Sequence, residues 1–221
     1  MRENFSLMKR KKLNFEEIDK KIQKRILEET LLSENFRNLS NAQKIEEIFK
    51  IYKLSKNYLD DYDNAIELIR RINYSSQDIT EFSKALFKYQ NEWNFEEKSG
   101  IFLSALINNC IDDEITIVTK NIDKKLKLVG FKNEKNFVVD GDVGDSLGLG
   151  MSGGSIVING NAGDYIGWYM KDGCIFINGN AGKAIGFEMS GGSIYIRGKY
   201  ISISSNIKNG KIYVKNNLVF L

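Results

Sequence analysis

A 19-residue pattern repeated in tandem constrains the fold of this chain more than any other feature. Its copies cover residues 141–159, 160–178 and 179–197, and an eroded fourth copy covers 198–215. Each copy joins a glycine-rich half to a strand in which apolar and polar residues alternate. A fixed period of this length is typical of a stacked solenoid, and the alternating strand makes each copy one coil of a parallel β-helix.

The apolar residues of the copies fall into columns when the sequence is stacked at a step of 19 residues. Such columns, about 4.8 Å apart from coil to coil, form continuous interior ladders that bury what no single coil could bury alone. The columns are Val143, Ala162 and Ala181; Leu147, Ile166 and Ile185; Met151, Met170 and Met189; Ile156, Ile175 and Ile194; and Ile158, Ile177 and Ile196.

Glycine divides the chain into two parts. Only Gly100 precedes residue 130, and the other 18 of the 19 glycines lie between Gly130 and Gly210. The recurring glycines are predicted to form the corners of the coils, because glycine reaches positive φ without a Cβ clash. They are Gly141, Gly144 and Gly148, with their counterparts at 160, 163, 167, 179, 182 and 186. The fourth copy has lost two of them and is one residue short, as terminal solenoid repeats often are.

Residues 1–110 are predicted to form an α-helical domain, and residues 111–221 the parallel β-helix. Helix starts are indicated where an oxygen-bearing side chain stands three residues before an acid or amide and apolar residues follow at helical spacing. These pairs are Asn14 with Glu17, Ser40 with Gln43, Asn64 with Glu67, Ser75 with Asp78, and Asn94 with Glu97. From residue 114 the period changes to two, which predicts strands at 114–119, 125–131 and 136–140 that open the β-helix. The expected fold class is α+β.

Composition excludes several kinds of site. The chain has no histidine, so it has no Ser-His-Asp triad, Cys-His dyad or histidine-ligated metal. A net charge of +3 is too balanced to predict nucleic acid or an anionic membrane as a partner, although residues 9–12 form a basic run near the start. No apolar run approaches the ~20 residues needed to span a bilayer, and the N-terminus has no apolar core of signal-peptide type. We therefore expect a cytoplasmic protein in which Cys110 and Cys174 stay reduced.

Two ligand-binding interpretations of the glycine-rich half are disfavoured. The spacing of Gly144, Gly148 and Gly150 is superficially that of a dinucleotide fingerprint, but no helix follows and the pattern repeats, so no cofactor is expected. The corner carboxylates Asp142, Asp145 and Asp164 are suited to Ca²⁺, but Lys183 takes their place in the third copy. We therefore expect a solvated corner and no metal.

One outward column of the β-helix is more apolar than a solvated face requires. It holds Val157, Phe176, Tyr195 and Tyr213, one in each successive copy. An exposed apolar stripe of this kind is typical of a protein interface. Two interpretations stay open here: the helices of the chain itself pack over the column, or another protein does.

The spacing GxxGxxxGxxM(S/K)(G/D)G, followed by an alternating strand over roughly residues 137–215, resembles the GxGxG-motif family. That family includes the C-terminal domain of the glutamate synthase large subunit and the C subunit of formylmethanofuran dehydrogenase. The resemblance implies a right-handed parallel β-helix without catalytic residues or a cofactor of its own, which holds other domains or subunits in position. The first ~95 residues resemble no family that we can name.

The expected function is a non-catalytic scaffold or assembly subunit, part of a multi-subunit oxidoreductase or amidotransferase. Its expected partners are the other protein subunits, and a homo-oligomer is also compatible with the sequence. One alternative is a small esterase-like hydrolase, which would need a Ser-Lys or carboxylate arrangement because no G-x-S-x-G motif is present. Another is a β-helix that binds a sugar or peptide through the aromatic column, for which a ligand-induced change in Trp168 fluorescence is the test.

Overall fold

The computed structural model describes residue 17, residues 19–53 and residues 57–220. Helices form the first part of the chain and a single seven-stranded sheet runs through the second. Residues 19–32 form α1. The helices that follow are α2 (Glu34–Arg37), α3 (Asn41–Ile51), α4 (Tyr58–Ile69), α5 (Ser76–Ala85), a 3₁₀ turn (Leu86–Tyr89) and α6 (Phe95–Asn109).

Two of the predicted helix starts are confirmed in atomic detail. The backbone N–H of Ser40 donates to Gln43 Oε1 at 2.9 Å, and the N–H of Gln43 donates back to Ser40 Oγ at 3.3 Å. Ser75 and Asp78 form the same reciprocal capping box at the start of α5. Each box satisfies backbone donors that the first turn of a helix leaves without partners.

The other predicted helix starts had different outcomes. The start at Asn64 is wrong, because α4 begins at Tyr58 and Asn57 accepts the N–H of Leu59 at 3.1 Å. Asn64 lies inside α4, where its Nδ2 donates to Gln23 of α1 at 3.1 Å. α6 does follow Asn94, but that residue has φ 54° and makes no side-chain cap. Asn14 lies outside the described residues.

The β-solenoid follows the predicted register. Its parallel strands are β1 (Ile115–Val118), β2 (Asn136–Asp140), β3 (Ser155–Ile158), β4 (Cys174–Ile177), β5 (Ser190–Ile196) and β6 (Asn209–Val214). Ile156 pairs with Ile175 and then Ile194, a step of 19 residues. The step to Ile212 is one residue shorter, with a register shift between Ser190 and Ser193. The parallel β-helix of about five turns is therefore confirmed, and β7 (Asn217–Phe220) closes it by pairing antiparallel to β6.

The predicted strand at 125–131 is wrong, since this segment is a corner of an additional first coil. Leu128, Gly130 and Lys132 have φ of 61°, 75° and 52°. The same left-handed positions recur as Ser146, Gly148 and Gly150, 18 residues later. The apolar residues Leu126, Leu128 and Phe131 are buried in this corner, so a period of two in the sequence does not require an extended strand.

The helical part caps the N-terminal end of the β-solenoid. Ser104 of α6 donates to the carbonyl of Leu128 and accepts the N–H of Phe131, both at 3.1 Å. On α5, Ser83 accepts the N–H of Val118 at 2.9 Å, and Thr80 donates to the carbonyl of Thr116 at 2.6 Å. These contacts satisfy the edge of β1 that does not pair with β2, so the sheet ends without an open edge at β1.

One apolar core crosses the boundary predicted between residues 110 and 111. On the helical side, Phe49 meets Phe82 and Phe102 edge to face, with ring centroids 5.4 and 5.3 Å apart. The buried residues of the same cluster continue through α6 into the interior columns of the β-solenoid, as far as Val214. The two predicted domains therefore share a common core.

Candidate protein interface on the β-solenoid

The predicted outward column is a stack of parallel rings. Val157, Phe176, Tyr195 and Tyr213 are register partners on β3, β4, β5 and β6, and we call them the aromatic ladder. The ring centroids of Phe176 and Tyr195 are 4.7 Å apart with 9° between planes, and those of Tyr195 and Tyr213 are 4.8 Å apart with 3°. The spacing equals the separation of paired strands, so the sheet register itself holds the rings face to face.

The described helices leave the aromatic ladder uncovered. They pack against β1 and the first coil, at the N-terminal end of the stack. The depression beside the ladder has a volume of about 420 Å³ and is lined by residues from β3 to Asn216. Each ladder side chain is half-buried, with its nearest ring contacts inside the ladder. Of the two interpretations left open, packing by the chain's own helices therefore fails for the helices that are described.

The stacked rings limit what can bind to the ladder. Each face of the Tyr195 ring is occupied by a neighbouring ring, so the ladder presents ring edges to solvent. A sugar or a nucleobase binds an aromatic side chain through the ring face. The ladder is therefore better suited to apolar side chains of another protein than to such ligands.

Positive charge borders the C-terminal half of the ladder. Residues two positions apart on a strand share a face, so Lys211 lies beside Tyr213 on β6. Arg197 follows Tyr195 by two residues and lines the depression beside the ladder, whereas Lys215 begins the turn after β6 with φ 49°. All three cations are exposed. Residues 189–221 contain no Asp or Glu. Their five basic residues are Arg197, Lys199, Lys208, Lys211 and Lys215. The near-neutral charge of the whole chain conceals this basic end.

The corner carboxylates that were considered for Ca²⁺ bond the backbone of the next coil instead. Asp142 Oδ1 accepts the N–H of Asn161, and the side chains of Asn161 and Asn180 accept in turn from the coils that follow, each at 2.8 Å. Asp145 does the same for Asp164, at 2.8 Å. Within the described residues there is no group of three or more residues able to hold a metal ion. Asp142, Asp145 and Asp164 thus serve as acceptors for the backbone of the following coil.

The same bonds explain two of the recurring glycines, Gly163 and Gly182. Gly148 has φ 68°, as the predicted corner role requires. Gly163 and Gly182 have no such φ, so the sequence-based reason is wrong for their column. A Cβ at Gly163 would overlap Asp145 Oδ1, and one at Gly182 would overlap Asp164 Oδ1. These glycines leave room for the side chain that reaches up from the coil below.

Replacing Asp142 by asparagine is expected to reduce the amount by which the free energy of unfolding falls at low pH. The hydrogen bond from the Asn161 N–H, with help from Lys125, lowers the pKa of Asp142. A folded pKa below the unfolded value of about 3.9 gives stability that is present above that pH and is lost as pH falls through the folded pKa. Asparagine, which the next two coils use at this position, keeps the acceptor but does not titrate.

The measurement is urea unfolding of the wild type and Asp142→Asn at neutral pH and at several values below pH 4. At neutral pH we expect a loss of under about 1 kcal/mol, for the exposed ion pair with Lys125. Below pH 4 the two stabilities should converge. Parallel pH curves for the two proteins would contradict this role of Asp142.

Lys127 and two buried serines have structural contacts that do not suit them to an esterase mechanism. Glu96 and then Glu97 raise the pKa of Lys127, which keeps its amine protonated and unsuited to act as a base. Ser83 and Ser104, which are buried, bond to the backbone of β1 and the first coil. The esterase alternative therefore gains no support from these groups.

Burial also disfavours both thiols as nucleophiles. Cys110 and Cys174 are both free, as predicted. Burial raises the pKa of each thiol, which favours the protonated form over the nucleophilic thiolate.

A second aromatic group, which sequence reasoning missed, lies on the left-handed corner. Trp168 stacks on Tyr169 with centroids 5.6 Å apart, and Phe187 meets Trp168 edge to face. Leu149, Trp168 and Phe187 form a column at a step of 19, so the repeat alignment contained this signal. The group lines a groove of about 640 Å³ that reaches the start of α4.

The fold and the site define a class: a helix-capped parallel β-solenoid whose corner side chains bond the backbone of the next coil and whose outer sheet face carries an aromatic stripe. Residues 135–217 match the family model described as the GXGXG motif. The resemblance is thereby confirmed for this segment, which covers less than half of the chain and fits a glutamate synthase-like domain. Comparison with curated proteins gave no match, and comparison with solved structures gave none either. Among the described helices, none has the length and apolar character needed to cross a membrane.

Proposed function

We propose that this protein is a non-catalytic assembly subunit that binds a partner protein through the aromatic ladder. One observation carries this proposal: three parallel rings are stacked on the outer face of the sheet with no described helix over them. Exposed aromatic and apolar stripes of this kind mark protein interfaces, where tyrosine in particular is enriched.

The ladder is rigid before any partner arrives. Parallel pairing holds β4 between β3 and β5, and β5 between β4 and β6, so the backbone under each ring is fixed on both sides. The ring of Tyr195 is further held between Phe176 and Tyr213. A preorganised surface loses little side-chain entropy on binding, which favours a stable complex.

The resemblance to the GxGxG-motif family suggests the kind of assembly. In that family the β-helix carries no catalytic residues and holds other subunits or domains in position. We therefore propose a role in a cytoplasmic multi-subunit oxidoreductase or amidotransferase, with subunits like those of glutamate synthase or formylmethanofuran dehydrogenase as partners. No cofactor of its own is required for this role.

The test is affinity purification of the full-length protein from its native cells, with partners identified and counted by mass spectrometry. We expect stoichiometric recovery of an enzyme subunit with the wild type and a loss of at least about tenfold with Tyr195→Glu, because the new charge is desolvated on binding. Tyr200→Glu is the matched control, since Tyr200 is exposed but lies off the ladder.

Three outcomes would contradict the proposal. Recovery of the protein alone would remove the assembly role, and recovery of only a second copy would assign a homo-oligomer. An unchanged complex with Tyr195→Glu would place the interface elsewhere. Circular dichroism of the isolated variants shows whether each remains folded.

A further inference from the structure

We infer that the partner segment on the aromatic ladder is an amphipathic α-helix that lies along the solenoid axis, with acidic residues on both borders of its apolar stripe. This inference rests on the proposed function and adds the chemistry of the partner. It is carried by the hydrogen bonding of the sheet, the spacing of the rings and the charge around them.

The ladder face offers no backbone partners. Strands β4 and β5 are paired on both edges, so their N–H and C=O groups are used within the sheet. A strand can join a sheet only at a free edge, and the ladder is on the outer face. A segment that docks here must therefore satisfy its own backbone, as an α-helix does.

The spacing of the rings also favours a helix. The rungs are 4.7 and 4.8 Å apart, and successive turns of an α-helix rise ~5.4 Å. Over the three steps from Val157 to Tyr213, a helix laid along the ladder drifts by only about 2 Å, less than half a rung. Same-face side chains of an extended strand lie ~6.7 Å apart and drift by about 6 Å, more than one whole rung.

The charge around the ladder selects an acidic partner. Lys211 borders the ladder on one side, and Arg197 borders it on the other. No acidic residue lies anywhere in 189–221, so these cations have no carboxylate partner within the same stretch. Glutamate or aspartate on both flanks of an apolar helix would meet them, whereas a second copy of the same face would bring like charges together.

The probe is a fluorescein-labelled 18-residue helical peptide with leucine at positions i, i+4, i+7 and i+11 and glutamate on both borders. A second probe carries lysine in place of every glutamate. Fluorescence anisotropy with the full-length protein measures the two affinities at low and physiological salt. We expect the glutamate probe to bind at least about tenfold more tightly, with the difference shrinking as salt increases.

Variants of the protein identify the groups responsible. The double variant Arg197→Glu/Lys211→Glu should reverse the preference, so that the lysine probe binds more tightly than the glutamate probe. Tyr195→Glu should lower the affinity of the protein for the glutamate probe at least about tenfold. Lys199→Glu, a charge reversal of an exposed cation off the ladder, is the control and should leave both affinities unchanged.

The outcomes separate the inference from the proposed function. The inference of an acidic partner helix is wrong if the glutamate probe does not bind or if both probes bind equally. It is also wrong if the double variant still prefers the glutamate probe. If Tyr195→Glu still releases the native partner in that case, the ladder remains an interface for a partner of different chemistry. If the native complex is unchanged by Tyr195→Glu, the ladder is not the interface of that complex, whatever the peptides do.

Discussion

Ile177→Asp is expected to abolish cooperative folding of the β-solenoid. Ile177 is fully buried in the interior column that also holds Ile158 and Ile196. The change removes an apolar side chain that packs against the coils above and below, and it places a carboxylate where no polar partner exists. We expect a loss of more than about 4 kcal/mol, a large fraction of the stability of an ordinary domain.

Urea unfolding followed by circular dichroism measures this effect. Lys171→Asp is the matched control, because Lys171 lies in the same coil but is exposed, and it should change stability by less than about 0.5 kcal/mol. Burial raises the pKa of the new carboxyl above its unfolded value of about 3.9, so the defect should be smallest at low pH and grow as pH rises. Native stability of Ile177→Asp at neutral pH would mean that the interior column is misassigned.

Gly100→Ala is expected to detach α6 from the first coil. A Cβ at Gly100 would overlap the carbonyl oxygen of Lys127 and lie 2.8 Å from its carbonyl carbon. Alanine normally stabilises a helix by up to about 1 kcal/mol relative to glycine, but here the clash is with backbone that cannot rotate away. Shifting α6 also breaks the two hydrogen bonds of Ser104, so we expect a net loss of about 3 kcal/mol.

Gly153→Ala is the control for this change. Its Cβ would have its nearest neighbour at 3.9 Å and its φ is not positive, so the substitution should be neutral. Limited proteolysis provides a second readout, because the linker after α6 includes Ile111, which is 87% exposed. Faster cleavage near Ile111 in Gly100→Ala, but not in Gly153→Ala, would show that the cap has loosened. Equal stability of the two variants would contradict the close approach of α6.

The repeat predicted the β-solenoid well because identical columns leave one register. A slip of one residue would move the strand isoleucines such as Ile175 to the outer face and expose them, so the burial pattern selects the observed pairing. The aromatic ladder followed from the same alignment, since any outward residue shares its face with the residue 19 positions on. Capping chemistry similarly predicted the starts of α3 and α5, where Ser40 and Ser75 have a partner three residues later.

The sequence-based predictions were wrong where the same residues are compatible with more than one local structure. Residues 125–131 alternate like a strand, but the coil needs a corner there and left-handed Leu128 and Gly130 provide it. Asn64 has the spacing of an N-cap but lies inside α4. The N-cap is Asn57, whose side chain accepts the N–H of Leu59. Gly163 was assigned a conformational role, whereas the side chain of Asp145 from the coil below required the space.

Residue patterns alone therefore established the coil, its period, its interior columns and the aromatic outer column, because a repeat imposes the same contacts at every step. Tertiary structure decided the rest. It placed the helices over β1 and not over the ladder, turned Asp142 and Asp145 toward the next coil's backbone, and brought α6 against Lys127 at Gly100. Those outcomes depend on contacts between distant, non-repeating segments, for which a linear pattern contains no spacing rule.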